Sequence, residues 1–225
     1  MLTAEQTKVA PGWTTRMMKH YFFPASIVLL ALSLLAFSDN LFTDIGQESN
    51  SDPKFIIHGM FFLAWFVILV VQSFFIRKGD YKTHVKVGMW GMFIALGVVV
   101  STFYVFVAIF EGWDKMPFFV KANRVLTTSF AVFVALAYVN RHKAAKHKRF
   151  LYVGTLFVLG PVLDRAGGMF GIEGLLNFAI FELIVWSTLF LSLFYYDRLT
   201  LGRIHIISSA GCAWFYLVWL VVFLA

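Results

Sequence analysis

Long apolar stretches separated by short polar turns dominate the hydrophobic pattern of this chain. Each stretch approaches the roughly 20 residues that an α-helix needs to cross the roughly 30 Å hydrocarbon layer of a membrane. None shows the regular alternation that membrane β-strands carry. The pattern therefore predicts an all-α polytopic membrane bundle of seven transmembrane helices, at residues 21–37, 55–76, 85–110, 118–139, 148–165, 174–195 and 204–225.

Composition supports a membrane protein and excludes an ordinary soluble domain. Of the 225 residues, 60% are hydrophobic and only 14% are charged. The net charge of +7 could indicate nucleic-acid binding, but the basic residues lie in short turns between apolar stretches. Such a distribution is typical of membrane topology, so we expect the lipid bilayer and not a nucleic acid as the partner.

Most of the 19 lysines and arginines fall on one side of the predicted bundle. By the positive-inside rule, that side faces the cytoplasm. We therefore expect a cytoplasmic N-terminal segment at 1–20, a single transmembrane domain at 21–225 and an external C-terminus. The expected location is the inner membrane of a bacterium.

A short pattern recurs at three turns on the predicted cytoplasmic side. Each has an arginine, then a histidine and then a glycine: Arg77/His84/Gly91, Arg141/His147/Gly154 and Arg198/His205/Gly211. The spacing suggests three related helical hairpins after the first span, although such short matches also arise by chance.

Histidines at the predicted cytoplasmic boundary are the first candidates for chemistry. His84, His147 and His205 each lie at the start of a predicted helix, and His142 lies in the turn before His147. If the first three converge, they could bind a metal ion, haem iron or another cofactor. Neighbouring lysines and helix N-termini favour an anionic cofactor over a bare divalent cation. The alternative is that these histidines only occupy a wet interface.

Polar side chains inside the predicted spans are the second set of candidates. His58 and Gln72 lie on one face of the second span, and Glu182 lies well inside the sixth. Further candidates near the external side are Arg124, Asp164 and Arg165. An intramembrane acid is either protonated or paired, so Glu182 predicts a proton relay or a structural salt bridge with Arg124, Arg165 or His58. For His58 and Gln72, interhelical hydrogen bonds are the alternative to chemistry.

Several short motifs resemble those of poorly characterised bacterial multi-pass membrane proteins. They are His58-Gly59, Trp65, Gln72, His84 with Gly88, and the basic turn from Asn140 to Arg149. The chain is more loosely similar to small haem-bearing membrane proteins whose boundary histidines bind iron. The second resemblance implies haem as a possible cofactor.

Three functions follow as hypotheses. The first is a small inner-membrane redox or cofactor-binding protein with a cytoplasmic histidine site. The second is a non-catalytic subunit or assembly factor of a membrane complex, and the third is a proton-coupled transporter that uses Glu182. Whether the chain is an enzyme stays open. A retinal protein is excluded because residues 204–225 contain no lysine for a Schiff base.

Overall fold

The computed structural model describes residues 20–224, which form helices and turns with no β-strand in that range. This confirms the all-α prediction. The predicted segment 1–20 lies outside the described residues apart from His20. The α-helices are α1 (Phe22–Ala36), α2 (Pro53–Lys78), α3 (Tyr81–Ala108), α4 (Phe118–Val139), α5 (Ala144–Phe157), α6 (Gly160–Met169), α7 (Leu175–Leu201) and α8 (Ile206–Leu224).

Among residues 20–224, five helices are long and apolar enough to cross a membrane, namely α2, α3, α4, α7 and α8. Helices α5 and α6 are long and apolar enough only when they are taken together, and they are bent by 51° at the break between them. Counted as one span, this pair gives a sixth. Helix α1 has 15 residues, a length of about 22 Å, which is shorter than the roughly 30 Å layer. The described part of the chain thus has five or six helical segments that could span a membrane, whereas the sequence predicted seven.

The turn between α2 and α3 shows how local sequence fixes the helix ends. Gly79 ends α2 in a left-handed conformation with φ of 77°, which favours glycine. The Asp80 side chain then accepts a hydrogen bond from the Thr83 main-chain N at 3.0 Å and caps α3. Because the turn is so short, α2 and α3 pack against each other as an antiparallel pair.

Helices α5 and α6 lie at the centre of the bundle. Every residue from 152 to 160 is buried. Helix α5 packs against α4 and α8, whereas α6 packs against α1 and α7. Irregular backbone at membrane depth is tolerated where protein surrounds it, and the break between α5 and α6 has such surroundings.

Two helices separated by a break, α5 and α6, lie where the sequence predicted a single span at 148–165. Pro161 has no main-chain N–H, so it cannot donate to the Phe157 carbonyl one helical turn earlier. The chain leaves the first helix axis at Val158 and Leu159 and starts again at Gly160. The Trp186 Nε1 atom donates to the Leu156 carbonyl at 3.2 Å and so satisfies one of the groups at this break.

Candidate functional site

Two acidic side chains meet where α6 packs against α7. The Asp164 carboxyl group lies within hydrogen-bonding distance of the Glu182 carboxyl group. Glu182 is buried, and its Oε1 atom has no hydrogen-bond partner. Two carboxyl groups can hydrogen-bond to each other only when at least one of them carries a proton. We call Asp164 and Glu182 the acid pair.

The position of the acid pair follows from the helical repeat of α7. Phe178, Glu182 and Trp186 are spaced four residues apart and therefore lie along one face of this helix. They contact α6 and α5 in succession. The ring of Phe178 lies against Gly167, where a Cβ atom would come within 2.5 Å of it, and Trp186 reaches Leu156 beyond the break. Glycine at 167 thus lets α6 approach α7 closely enough for the acid pair to form.

The predicted basic partners of Glu182 are engaged elsewhere. Arg124 donates to the Phe106 carbonyl at 2.7 Å, and its guanidinium lies over the Phe106 ring. Arg165 forms an ion pair with Asp39 at 3.3 Å, with both side chains about one-third exposed. Glu182 therefore does not form the predicted salt bridge with Arg124 or Arg165, and its partner is a second acid.

His58 and Gln72 both face a neighbouring helix. The His58 Nδ1 atom lies 3.4 Å from the Ser101 Oγ atom and 3.5 Å from the Thr102 Oγ1 atom on α3. With its amide oriented to satisfy its neighbours, Gln72 donates to the His84 main-chain O at 3.0 Å and to His84 Nδ1 at 2.6 Å. Both residues thus bind α2 to α3 through hydrogen bonds. His58 is not the partner of Glu182 either.

Of the three boundary histidines, the structure brings two together. The ring centres of His84 and His147 are 6.5 Å apart, and the two planes are nearly perpendicular. Both rings are half-buried. The His147 Nδ1 atom lies 2.9 Å from the Ala137 carbonyl oxygen, to which it donates because a carbonyl only accepts. We call His84 and His147 the histidine pair.

His205 does not join the histidine pair, and His142 is exposed in its turn. The His205 Nδ1 atom instead accepts a hydrogen bond from the Ile207 main-chain N at 3.1 Å, at the start of α8. Across residues 20–224, no group of three or more histidine, cysteine, aspartate or glutamate side chains is placed to hold a metal ion. The predicted site of His84, His147 and His205 is thus not formed, because His205 serves as a helix cap. Haem as a cofactor stays a prediction.

His205 makes the stability of the protein depend on pH. Burial, followed by the positive charges of Arg149, Lys146 and Arg203, lowers the pKa of His205, against the opposing effect of Asp197. The unfolded chain therefore binds a proton at His205 at higher pH than the folded protein does. The contribution of His205 to the free energy of unfolding is therefore fully present above the ordinary histidine pKa of about 6.5. This contribution is lost as the pH falls below that value.

We expect the melting temperature of the detergent-solubilised protein to fall between pH 7.5 and pH 5. The variant H205N should lose less over the same range, because asparagine can cap α8 without titrating. The control is H142N, since His142 is exposed, and it should follow the parent protein. Equal falls in H205N and the parent would contradict this role for His205.

Sequence reasoning missed a buried ion pair near the histidine pair. The Arg149 Nε atom donates to Asp197 Oδ1 at 2.8 Å, and both side chains are at most 1% exposed. The second oxygen of Asp197 accepts from the His205 main-chain N at 2.9 Å. The signal was present in the sequence, because Asp197 is one of few acids among the basic turns, but the pairing depends on how α5 and α7 pack.

Contacts between these turns define one end of the bundle. The histidine pair joins α3 to α5, and the Arg149 ion pair joins α5 to α7. We call this the basic end, because the turns 77–82, 140–148 and 198–203 carry many lysines and arginines. The ion pair of Arg165 and Asp39 connects α6 to the segment after α1, on the other side of the break. The acid pair also lies on that side.

Comparison with known proteins gives no family for this chain. No family model, curated protein or solved structure matches it.

Proposed function

We propose that this protein is a proton-coupled membrane transporter in which the acid pair binds the coupling proton. The observation that carries the proposal is the close approach of two carboxyl groups, those of Asp164 and Glu182, between helices of apolar character. Ionisable residues at such positions are costly to keep and commonly belong to ion or proton pathways.

Sharing a proton is the chemistry that this arrangement favours. Two carboxylates at hydrogen-bonding distance repel each other strongly when both are ionised, so a bound proton stabilises the pair. Releasing that proton would leave two negative charges facing each other between α6 and α7. Proton binding and the packing of these two helices are therefore coupled.

The broken span supplies the second support for transport. Discontinuous helices form the substrate and ion sites of many secondary transporters, because their interruption gives main-chain groups and a point of movement. Here Asp164, one member of the acid pair, lies on α6 in the second helical turn after the break at Val158 and Leu159. A proton-sensitive contact thus lies on the half-helix that the break allows to move relative to α5.

Orientation is part of the same proposal. We place the basic end in the cytoplasm of a bacterial cell, with the protein in the inner membrane, because lysines and arginines gather on the cytoplasmic side of membrane proteins. In this arrangement α1 and the pair α5/α6 each cross the membrane, for a total of seven spans. The related hairpins, the redox function and a role in a membrane complex stay predictions.

Replacing Glu182 with glutamine tests the function. The variant E182Q keeps a hydrogen bond to Asp164, because the new amide can donate to its carboxylate, but it cannot exchange a proton. We expect proteoliposomes that contain a pH-sensitive dye and a proton gradient to show solute-dependent proton movement with the parent protein. A panel of small ionic and polar solutes is the probe. With E182Q, the signal should fall to that of protein-free liposomes.

The control is E173Q, because Glu173 is an exposed acid in the turn before α7. It should transport like the parent. Infrared difference spectra against pH measure the proton directly, and the carbonyl band of a protonated carboxyl group should be missing from E182Q alone. Undiminished proton movement in E182Q would refute the proposal. So would the same infrared band in E182Q and in the parent protein.

A further inference from the structure

An apolar groove lies between α2 and α3, away from the acid pair and the histidine pair. It encloses about 540 Å³, which is within the range of roughly 300–1,000 Å³ for small-molecule sites. Its walls are mostly apolar side chains, among them Ile57 and Phe61 from α2 and Leu96 and Val100 from α3. Leu96 and Val100 are each 59% exposed, so in a bilayer the groove opens toward the lipid chains. We call it the lipid-facing groove.

The length of the groove matches one leaflet of a bilayer. On α3 it runs from Phe93 to Tyr104, a distance of about 16 Å along the helix at roughly 1.5 Å per residue. On α2 it begins at Pro53, the first residue of that helix, so it starts at the end of the bundle opposite the basic end. Half of the roughly 30 Å hydrocarbon layer is about 15 Å. One acyl chain that extends from the membrane surface to the bilayer centre therefore has the length of the groove.

Polar groups lie at the outer end of the groove, which we call the mouth. The contact between His58 Nδ1 and Ser101 Oγ at 3.4 Å sets the register of α2 against α3. Lys54 lies one helical turn before His58, and Tyr104 lies about one turn after Ser101. Both line the groove on the same side of this contact, because the two helices are antiparallel. The mouth thus has an ammonium group and a phenol hydroxyl above an apolar channel, which is the polarity of a lipid.

The charge at the mouth is that of an ion pair. Lys54 is paired with Asp52, and the two side chains are 23% and 33% exposed. An ammonium group has three N–H donors and a carboxylate has about four acceptor sites, so the pair leaves hydrogen-bonding capacity on both partners. A phosphate can accept from Lys54 while a primary ammonium group donates to Asp52. A purely anionic headgroup would instead be repelled by the Asp52 carboxylate.

We propose that the lipid-facing groove binds one phospholipid with a zwitterionic headgroup that carries a primary ammonium group, which is the chemistry of phosphatidylethanolamine. One acyl chain lies along the groove, the phosphate accepts from Lys54 and Tyr104, and the ammonium group donates to Asp52. A choline headgroup has no N–H to donate to this carboxylate, and a glycerol headgroup has no positive charge. The site therefore selects its lipid by the headgroup, whereas lipids that only surround the bundle are not selected.

This proposal does not depend on transport. Its residues lie on α2, on α3 and directly before α2, whereas the acid pair lies on α6 and α7. A protein that moves no protons could still select this lipid, and the reverse holds as well. The two proposals therefore fail separately.

Native mass spectrometry of the delipidated full-length protein tests the site. The protein in detergent micelles is mixed with equal amounts of phosphatidylethanolamine, phosphatidylcholine and phosphatidylglycerol that have identical acyl chains. We expect one phosphatidylethanolamine per chain, retained roughly fivefold more than either other lipid, as one charge near the membrane surface allows. This lipid should also raise the melting temperature more than the other two do.

Filling the groove should remove the bound lipid. In V100W a large side chain occupies the groove at an exposed position, so the variant should fold like the parent but retain no phosphatidylethanolamine. The matched control is V107W, because Val107 is exposed on the same helix outside the groove, and it should retain the lipid. If V100W melts well below the parent, L96W replaces it, since Leu96 also lines the groove at an exposed position.

Changing the charges at the mouth should change which lipid is bound. D52N keeps the cap of α2, because asparagine also caps helices, but it removes the negative charge beside Lys54. We expect D52N to retain phosphatidylglycerol in preference to phosphatidylethanolamine, and K54Q to lose the selectivity. The controls are D114N and K115Q, exposed positions in the turn after α3, and both should keep the preference of the parent.

Three results would overturn the proposal. The first is equal retention of the three lipids by the parent protein, or retention of none, which would mean that only the general lipid layer covers the groove. The second is retention of phosphatidylethanolamine that is unchanged in both V100W and L96W. The third is a D52N variant with the same lipid preference as the parent.

Discussion

Replacing Asp197 with alanine should destabilise the protein by about 3–5 kcal/mol, because it leaves the buried charge of Arg149 without its partner. The two side chains are at most 1% exposed, so water cannot take over the role of the carboxylate. The substitution also removes the acceptor for the His205 main-chain N. Reversible unfolding in mixed detergent and SDS micelles measures the change in the free energy of unfolding.

Two further variants show whether the unpaired charge causes this loss. Removing both partners in R149M/D197L should give a protein more stable than D197A, since an apolar pair of similar size leaves no buried charge. The exposed pair of Asp39 and Arg165 is the control, and D39N should cost less than about 1 kcal/mol. A free energy of unfolding for D197A within about 0.5 kcal/mol of the parent would show that the ion pair does not stabilise the fold.

Replacing Gly211 with alanine should destabilise the protein by about 1–3 kcal/mol through overpacking between α8 and α5. A Cβ atom at this position would lie 2.4 Å from the Val153 Cγ1 atom. Valine is stiff about its first side-chain torsion and is fully buried here, so it cannot turn away. The two helices would have to separate, and thermal unfolding in detergent measures the cost.

A second substitution should relieve this clash. In G211A/V153A the offending Cγ1 atom is gone, so the double variant should be more stable than the sum of the two single changes predicts. G59A is the matched control, because Gly59 lies within α2 and nothing lies within 4 Å of its would-be Cβ atom. It should be neutral or stabilising by up to about 1 kcal/mol. Strict additivity in the double variant would argue against close packing at Gly211.

The helices could be predicted from the sequence because each rests on local information. The predicted span 118–139 coincides with α4, and the other predicted spans overlap the observed helices with ends that differ by a few residues. The prediction of one continuous helix at 148–165 was wrong at the break between α5 and α6. The effect of Pro161 on the Phe157 carbonyl could be predicted, but the 51° bend depends on how α1, α4, α7 and α8 surround the break.

The candidate sites could be predicted only in part. Glu182 was identifiable as an acid inside an apolar helix, but its partner Asp164 depends on the register between α6 and α7. Likewise, His84 and His147 share the start-of-helix position with His205, yet only two of the three converge. The third, His205, caps α8 because its Nδ1 atom accepts a hydrogen bond from the Ile207 main-chain N. Its position in the sequence does not distinguish this role from that of a ligand.

Helix α7 lies alongside both halves of the broken span, and its attachments to them are unequal. Toward the half at the basic end, a buried ion pair and the Trp186 hydrogen bond hold it to α5. Toward the other half, it meets α6 through the acid pair, whose contact would weaken on loss of the proton that we propose the pair shares. Under that proposal, α6 would move away from α7 while α5 stays anchored, so that a passage would open first at the end of the bundle opposite the basic end.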